Sequence, residues 1–536
     1  MRLAIVGAIC AALLLAFTGV AGAATYCVNA SGCSGISEPD LQTALNAAMA
    51  STTEADVVHV GDPGTPPGSG WAYSDGGPTA NQVDIIGEGP SNTVLTNTAS
   101  TVLFVGGAGS TISDLTVKLP NAVSNGIATS GSLSNVDVTS LDNGTHSQTG
   151  VVLLGTGPEH WSGGSIALPT SGTGLNTAIA RSGSGGTFDL TDLAVSAAGP
   201  TLVASPSDAI TLRRVSMTSG LGIINQGAHV TLDDVAYRAT PQPAPGIFMI
   251  TTPSGSQDAT SDLNHVTAFG NGLNGTFGLL ADDLTNLAAT VNVRNSILRN
   301  FFFLINRSSS SSGGSANVNL SYSDIDLIHK LDTTTSPGSG ATNVGPGMID
   351  SDPLFKNPAA GDFSLKPGSP AIDAGDPAGL VAGDSATDML GAPRISNGRQ
   401  DMGALEVQVP PPVPPPAAPT PPAKDRLAPK LKLSKLPKSV KLTQLLKGIK
   451  FTVTTSEPSA VNATLAGSAG SVKLARSFNF TLAHKHLGLK SGKRRITLKV
   501  RKNILGHSRR FTVRLTVTAT DASGNVSTIR RTIKVR

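Results

Sequence analysis

A short pattern of apolar and polar positions, apolar-x-x-apolar-x-apolar, recurs along this chain. It reads Ile112-Ser-Asp-Leu-Thr-Val117, Leu133-Ser-Asn-Val-Asp-Val138, Leu190-Thr-Asp-Leu-Ala-Val195, Leu212-Arg-Arg-Val-Ser-Met217, Leu232-Asp-Asp-Val-Ala-Tyr237 and Leu263-Asn-His-Val-Thr-Ala268. Degenerate copies follow at Val293-Arg-Asn-Ser-Ile-Leu298 and Leu320-Ser-Tyr-Ser-Asp-Ile325, and a weaker one runs from Trp161 to Ile166. Each copy alternates as a strand does and is far too short for a helix. Fourth positions are 21 residues apart from Leu115 to Val136, then 22 and 20 from Leu193 through Val215 to Val235, and 31, 30 and 27 beyond. Units of that size, joined by Gly, Asn and Ser turns, cannot bury an apolar face alone. They can if the chain coils and stacks, each strand pairing in parallel with its counterpart one turn away at ~4.8 Å. The prediction is an all-β right-handed parallel β-helix with an N-terminal cap over residues 25–345, of which residues ~55–345 form roughly ten to twelve coils in a rod of ~50 Å. A β-propeller needs blades of ~40 residues with four antiparallel strands, so the period excludes it.

Such a stack has open ends, and an open sheet edge invites aggregation. Leu41 to Ala50 reads as a short amphipathic helix with Leu41, Ala44, Leu45, Ala48 and Met49 on one face and Asp40 as its N-cap. It is expected to cap the first coil, whose first strand is Val57-Val-His-Val60. Far down the chain, residues 409–424 contain 9 Pro in 16 positions and are expected to form a stiff extended linker. Residues 425–536 then alternate again at Phe451-Thr-Val453, Ile496-Thr-Leu-Lys-Val500, Phe511 to Val517 and Ile529 to Val535. Turn signals such as Asp521-Ala-Ser-Gly-Asn525 separate them, which predicts a small antiparallel β-sandwich.

Composition agrees with an all-β chain. Among 536 residues there are 60 Gly and 35 Pro, which disfavours a helical bundle, while 39% hydrophobic residues exclude a disordered chain. Aromatics make up 4%, too few for a sugar-binding module built on exposed Trp and Tyr. The net charge of +4 conceals a split: residues 424–536 carry 26 Lys and Arg against 3 acids, a net of +23. That leaves 14 basic and 33 acidic residues elsewhere, a net of −19. Charge asymmetry of this kind speaks of partners rather than of fold.

Arg2, the apolar run Leu3 to Phe17 and Ala21-Gly-Ala-Ala24 have the form of a secretory signal peptide, expected to occupy residues 1–24. An uncleaved membrane anchor is the competing reading, and no further run is long enough to span a bilayer. The expected location is secreted, extracellular or at the cell surface. Outside the cytoplasm Cys27 and Cys33 are expected to form a disulfide, since no further Cys and no nearby His would complete a metal site.

Tyr26-Cys-Val28, Leu41-Gln-Thr-Ala-Leu45 and Val57-Val-His-Val60 resemble the N-terminal pattern of secreted right-handed β-helix proteins of the pectate-lyase-like superfamily. The stretches Asp352-Pro-Leu-Phe355, Asp362-Phe-Ser-Leu-Lys-Pro-Gly-Ser-Pro-Ala-Ile-Asp-Ala-Gly375, Gly391-Ala-Pro-Arg394 and Asp401-Met-Gly-Ala-Leu-Glu406 are similar to the closing segment of those proteins, here residues 346–408. The resemblance implies fold and export over about residues 25–408. It does not imply one activity, because the superfamily includes lyases, hydrolases, surface adhesins and proteins without known activity. Thr518-Ala-Thr-Asp-Ala-Ser-Gly-Asn-Val526 resembles the end of bacterial immunoglobulin-like domains on exported proteins.

Candidate chemistry follows from comparing equivalent repeat positions, which would stack on neighbouring coils. A lyase acting on uronates needs a cation or Arg to neutralise the acid and a base near the α-proton. Arg213 or Arg214 beside Asp233 or Asp234, with His265 one coil on, would supply both. The competing reading is a turn ladder of side chains that bond the backbone. Asp142, Glu159 and Asp189 are isolated among Ser and Gly and form no glycosidase pair. In the acidic closing segment, Asp384, Asp388, Asp401 and Glu406 are candidate Ca²⁺ ligands, against a plainer role as turn and cap residues. No other cofactor is implied. In the tail, Lys493, Arg494, Arg495, Lys499, Arg501, Arg509 and Arg510 are candidates for binding an anionic cell-wall polymer or acidic polysaccharide. Nucleic acid is not expected, because the tail's Phe residues fall where strand cores need them rather than as stacking platforms. The resulting expectation is an exported, non-catalytic surface or matrix protein, adhesive or polysaccharide-associated and held by its cationic tail. The competitor is a polysaccharide lyase or glycoside hydrolase. The sequence leaves the glycan and the oligomeric state open.

Overall fold

The computed structural model describes residues 23–50, 55–74, 82–121, 123–240, 246–309, 313–332, 338–408, 425–469, 478–500 and 511–536. The expected signal peptide up to residue 22, the Pro-rich linker 409–424, and Arg501, Arg509 and Arg510 lie outside them. The protein is all-β, with 53% strand and 4% helix. It forms two compact units, Met1–Pro410 and Pro411–Arg536. Among the described residues no helix is long and apolar enough to cross a membrane.

In the first unit, strands far apart in sequence pair in parallel and build one 28-stranded sheet. The pairing follows the repeat. First positions of the motif are in unbroken register: Ile112 opposes Leu133, Leu133 opposes Trp161, and the row continues through Leu190, Leu212, Leu232, Leu263 and Val293 to Leu320. Sixth positions form a second row, from Val117 and Val138 through Ile166, Val195, Met217, Tyr237, Ala268 and Leu298 to Ile325. The strands between motifs supply a third ladder, in which Leu103, Ile127, Val151, Ile179, Leu202, Ile223, Met249, Leu279 and Ile305 are aligned. These side chains are buried in one continuous core. Each Val, Leu or Ile so buried contributes about 1.5–3 kcal/mol, so the stack as a whole, not any single turn, supplies the stability.

The sequence predicts a straight strand for each motif, and the structure corrects this. Strict alternation would send positions one and four to opposite faces, yet Ile112 and Leu115, like Leu232 and Val235, are all buried. The third residue resolves the conflict. Asp114, Asn135, Asp192, Arg214, Asp234, His265, Asn295 and Tyr322 all have φ between 44° and 58°, the left-handed conformation that turns the chain by one corner. Each motif is therefore two short strand segments around a bend, and its third side chain sits at a corner rather than on a flat face.

At the N-terminal end, Leu41–Ala50 is helical, and the Asp40 carboxylate accepts the Thr43 N–H at 2.8 Å, an N-cap. Leu41, Ala44, Leu45 and Ala48 are buried in the same core as Val58 and Val60, with Met49 packed at its margin. Cys27 and Cys33 are joined by a disulfide. Residues 346–408 are largely irregular and fold back across the outside of the stack. Phe355, Phe363, Leu365, Ala371, Met402 and Ala404 make a separate apolar cluster with Ala236 and Ile297, which point outward from the second row.

The second unit has a three-stranded antiparallel sheet, Leu431–Ser434, Ile449–Thr455 and Gly492–Leu498, and a five-stranded sheet. Phe451, Val453 and Ile496 of the first share one core with Val461, Leu465, Val513, Val517 and Ile533 of the second. The purely antiparallel expectation needs one correction: Ser439–Val440 pairs in parallel with Lys534 and Val535. The strands Ser459–Ala469 and Phe478–Leu489 and the short helix Leu442–Lys447 were not foreseen.

Candidate functional site

The five candidate catalytic residues lie together, but as part of a seam. Asp233 is 2% exposed, and Asp234 and His265 are fully buried. The closing segment covers them. Arg394, itself fully buried, donates to the Asp234 carboxylate and to the carbonyls of Gly403 and Ala404 at 3.0 Å. The Ser385 N–H donates to Asp233 Oδ2 at 2.8 Å, and His265 Nε2 lies 2.9 Å from Gln400 Oε1. Arg213 faces Asp233 at 3.5 Å and donates to the Gly383 carbonyl, while Arg214 makes a two-pronged pair with Asp192 at 2.6 and 2.7 Å.

Three of the five candidates are therefore closed off from solvent. The closing segment occupies the hydrogen bonds of Asp233, Asp234 and His265 through the Ser385 N–H and the Arg394 and Gln400 side chains, while Arg213 and Arg214 stay partly exposed. Burial pushes the Asp234 carboxyl up to about 7, the neighbouring Asp233 charge adding to it and Arg394 opposing it, and burial likewise lowers His265. Asp233, Asp234 and His265 nevertheless each offer one ligand atom within 4.8 Å of the others.

The Ca²⁺ candidates are also reassigned. Asp384 takes Arg294 in two bonds of 2.7 and 2.8 Å. Asp388 accepts the N–H groups of Leu390, Ala392 and Glu406, Asp401 those of Asp373 and Val407, and Glu406 those of Ser396 and Asp401. An irregular segment has no ladder to satisfy its backbone, and these carboxylates satisfy it instead. In the second unit Asp425, Glu457 and Asp521, the three acids of the cationic tail, converge within 4.8 Å at a partly exposed spot.

Among the described residues of the first unit, one open groove of about 650 Å³ lies between the outer face of the first-position ladder and Val381–Asp384 of the closing segment. Its floor is a column of side chains from the residue just before each motif. The Asn292 amide donates to Asp262 at 2.6 Å, Asn319 to Asn292 at 2.7 Å and Asn343 to Asn319 at 2.7 Å. His229 stands beside the column, its Nε2 2.6 Å from Asp262 Oδ2, while Thr231 is the residue in register with Asp262. A side-chain amide has two N–H donors and an oxygen with two lone pairs. Asn292 and Asn319, which each donate once and accept once within the column, therefore keep one N–H and one lone pair for something lying along the groove. The second and third motif positions do not reveal this column. Its signal was the recurrent Asp or Asn before the motif at Asp262, Asn292, Asn319 and Asn343.

In the tail, Lys493 and Arg495 face outward, and register places them beside Lys432 and Lys450 on one surface of the three-stranded sheet. Arg494 opposes Val453 and belongs to the other face, although exposed near its strand end; Lys499 follows the strand and is exposed.

No family model matches the chain, and no curated protein matches it. Among solved structures, a GH3 exo-beta-xylosidase in complex with a xylobiose aziridine activity based probe is 12% identical over 20% of this chain and 17% of that chain, with a TM-score of 0.14. The enzymatically active domain of bacteriophage CBA120 tailspike protein 2 is 10% identical over 92% of this chain and 73% of that chain, with a TM-score of 0.25. Both likenesses are too slight to transfer a fold or an activity.

Proposed function

We propose that this chain is an exported, polysaccharide-associated surface or matrix protein whose first unit is a right-handed parallel β-helix of the pectate-lyase-like kind. Its second unit, on this reading, is an immunoglobulin-like sandwich that holds to anionic polymer. The observation that carries the proposal is the periodic column Asp262–Asn292–Asn319–Asn343 on the floor of the accessible groove. Rungs repeating at strand spacing suit a repeating, hydroxyl-rich chain, and amides pair with hydroxyls without needing charge. The burial of Asp233, Asp234 and His265 supports binding over turnover. One feature favours the competing lyase or hydrolase: the exposed His229–Asp262 pair beside the groove.

The deciding experiment incubates the full chain with neutral and acidic polysaccharides, measuring both retention and the appearance of new unsaturated or reducing ends. Retention that falls at least tenfold in Asn292→Ala/Asn319→Ala, without new chain ends, is expected. Turnover that disappears in Asp262→Asn would replace this reading with the enzymatic one.

A further inference from the structure

The seam under the closing segment contains an arrangement that its protein partners do not complete. Gln400 donates its amide to the carbonyls of Asp376 at 3.1 Å and Gly379 at 3.3 Å, so its oxygen is the atom facing His265 Nε2. That Nε2 carries the hydrogen, and in the neutral ring that burial favours, Nδ1 is then a lone pair turned toward Asp233. Nδ1 is buried without a hydrogen-bond partner, 3.5 Å from Asp233 Oδ1. Asp234 Oδ2 is likewise buried and unpartnered, because Arg394 takes the other oxygen. Two carboxylates and an imidazole nitrogen thus converge in a dry place: Arg213 and Ser385 meet Asp233 Oδ2, Asn264 donates to Asp233 Oδ1 at 3.1 Å and Arg394 takes Asp234 Oδ1, but Asp234 Oδ2 and His265 Nδ1 are left as buried acceptors without a donor.

We propose that Asp233, Asp234 and His265 form a structural site for a first-row divalent transition cation, with zinc as the probe. One imidazole nitrogen with two carboxylate oxygens is a mixed N/O donor set, which suits such an ion better than Ca²⁺, whose ligands are all oxygen. The donors lie on two adjacent coils, and their remaining atoms are bound to Ser385, Arg394 and Gln400 of the closing segment. The cation therefore fastens that segment to the stack.

The test uses the full chain, stripped with chelator, desalted and titrated with zinc by calorimetry, with the thermal midpoint followed in parallel. One equivalent should bind and raise the midpoint, and His484→Ala/His486→Ala in the tail should leave that equivalent in place. Affinity should fall at least tenfold in His265→Asn, where Asn tolerates the left-handed backbone, and in the near-isosteric Asp233→Asn. Circular dichroism confirms that each variant is folded. A midpoint indifferent to zinc and chelator in the unaltered chain overturns the proposal, a proton then being the bridging charge. Loss of the equivalent in the tail variant overturns it too.

Discussion

Arg394 binds the carboxylate of Asp234, 160 residues earlier in the chain, and both side chains are fully buried. The pair joins the irregular segment 346–408 to a corner of the stack, where Asp234 has a φ of 58°. Burial makes the two ends interdependent. Removing one partner of a buried pair leaves an uncompensated charge and costs about 3–5 kcal/mol, while removing both costs much less. Arg394→Met should therefore lower the denaturation midpoint strongly and open residues 346–408 to protease, and Arg394→Met/Asp234→Asn should recover much of the loss. A cost below ~1 kcal/mol for Arg394→Met would mean that the apolar cluster around Phe355 and Phe363 fastens the segment unaided.

Glu159 gives a pH dependence of definite sign. It is buried, neither carboxyl oxygen has a hydrogen-bond partner, and burial raises it from 4.5 to about 7 against the pull of Arg181. The folded state holds the proton more tightly than the unfolded chain does. Its stability is therefore full below the ordinary carboxyl value and declines as pH rises through 7. With 1.36 kcal/mol per unit, the loss by pH 8 is on the order of 3 kcal/mol. Glu159→Gln should flatten the profile between pH 4.5 and 8 in urea unfolding. Equal slopes for both proteins would show that the carboxyl ionises without penalty.

The tail prediction concerns a face rather than a run. Lys432, Lys493 and Arg495 share the outer surface of one sheet, while Arg494 does not. Reversing those three charges should weaken retention on an acidic polysaccharide more than reversing Lys435, Lys438 and Arg494. Retention of the unaltered chain should fall steeply between about 0.05 and 0.5 M salt, as screening shortens toward a few ångströms. Binding that ignores salt would leave the charge a solubilising role only.

The repeat was legible in the sequence because parallel stacking demands the same apolar positions on every coil. That demand is local and periodic, so Leu212, Leu232 and Leu263 announce their own register. The N-terminal helix was legible for a similar reason, since its cap and its apolar face lie within a few residues of each other. Tertiary structure alone decided the rest. Apolar residues at both the first and fourth positions break strict alternation and mark a bend between them, but which residue turns, and that Arg214, His265 and Tyr322 turn like Asp and Asn, only the backbone shows. Spacing did not show that His265 meets Gln400 or that Asp234 meets Arg394, because those contacts join stretches more than 130 residues apart with no shared period. Burial of a polar side chain depends on what is laid over it, and here the cover is an irregular segment whose path follows side-chain contacts rather than a ladder.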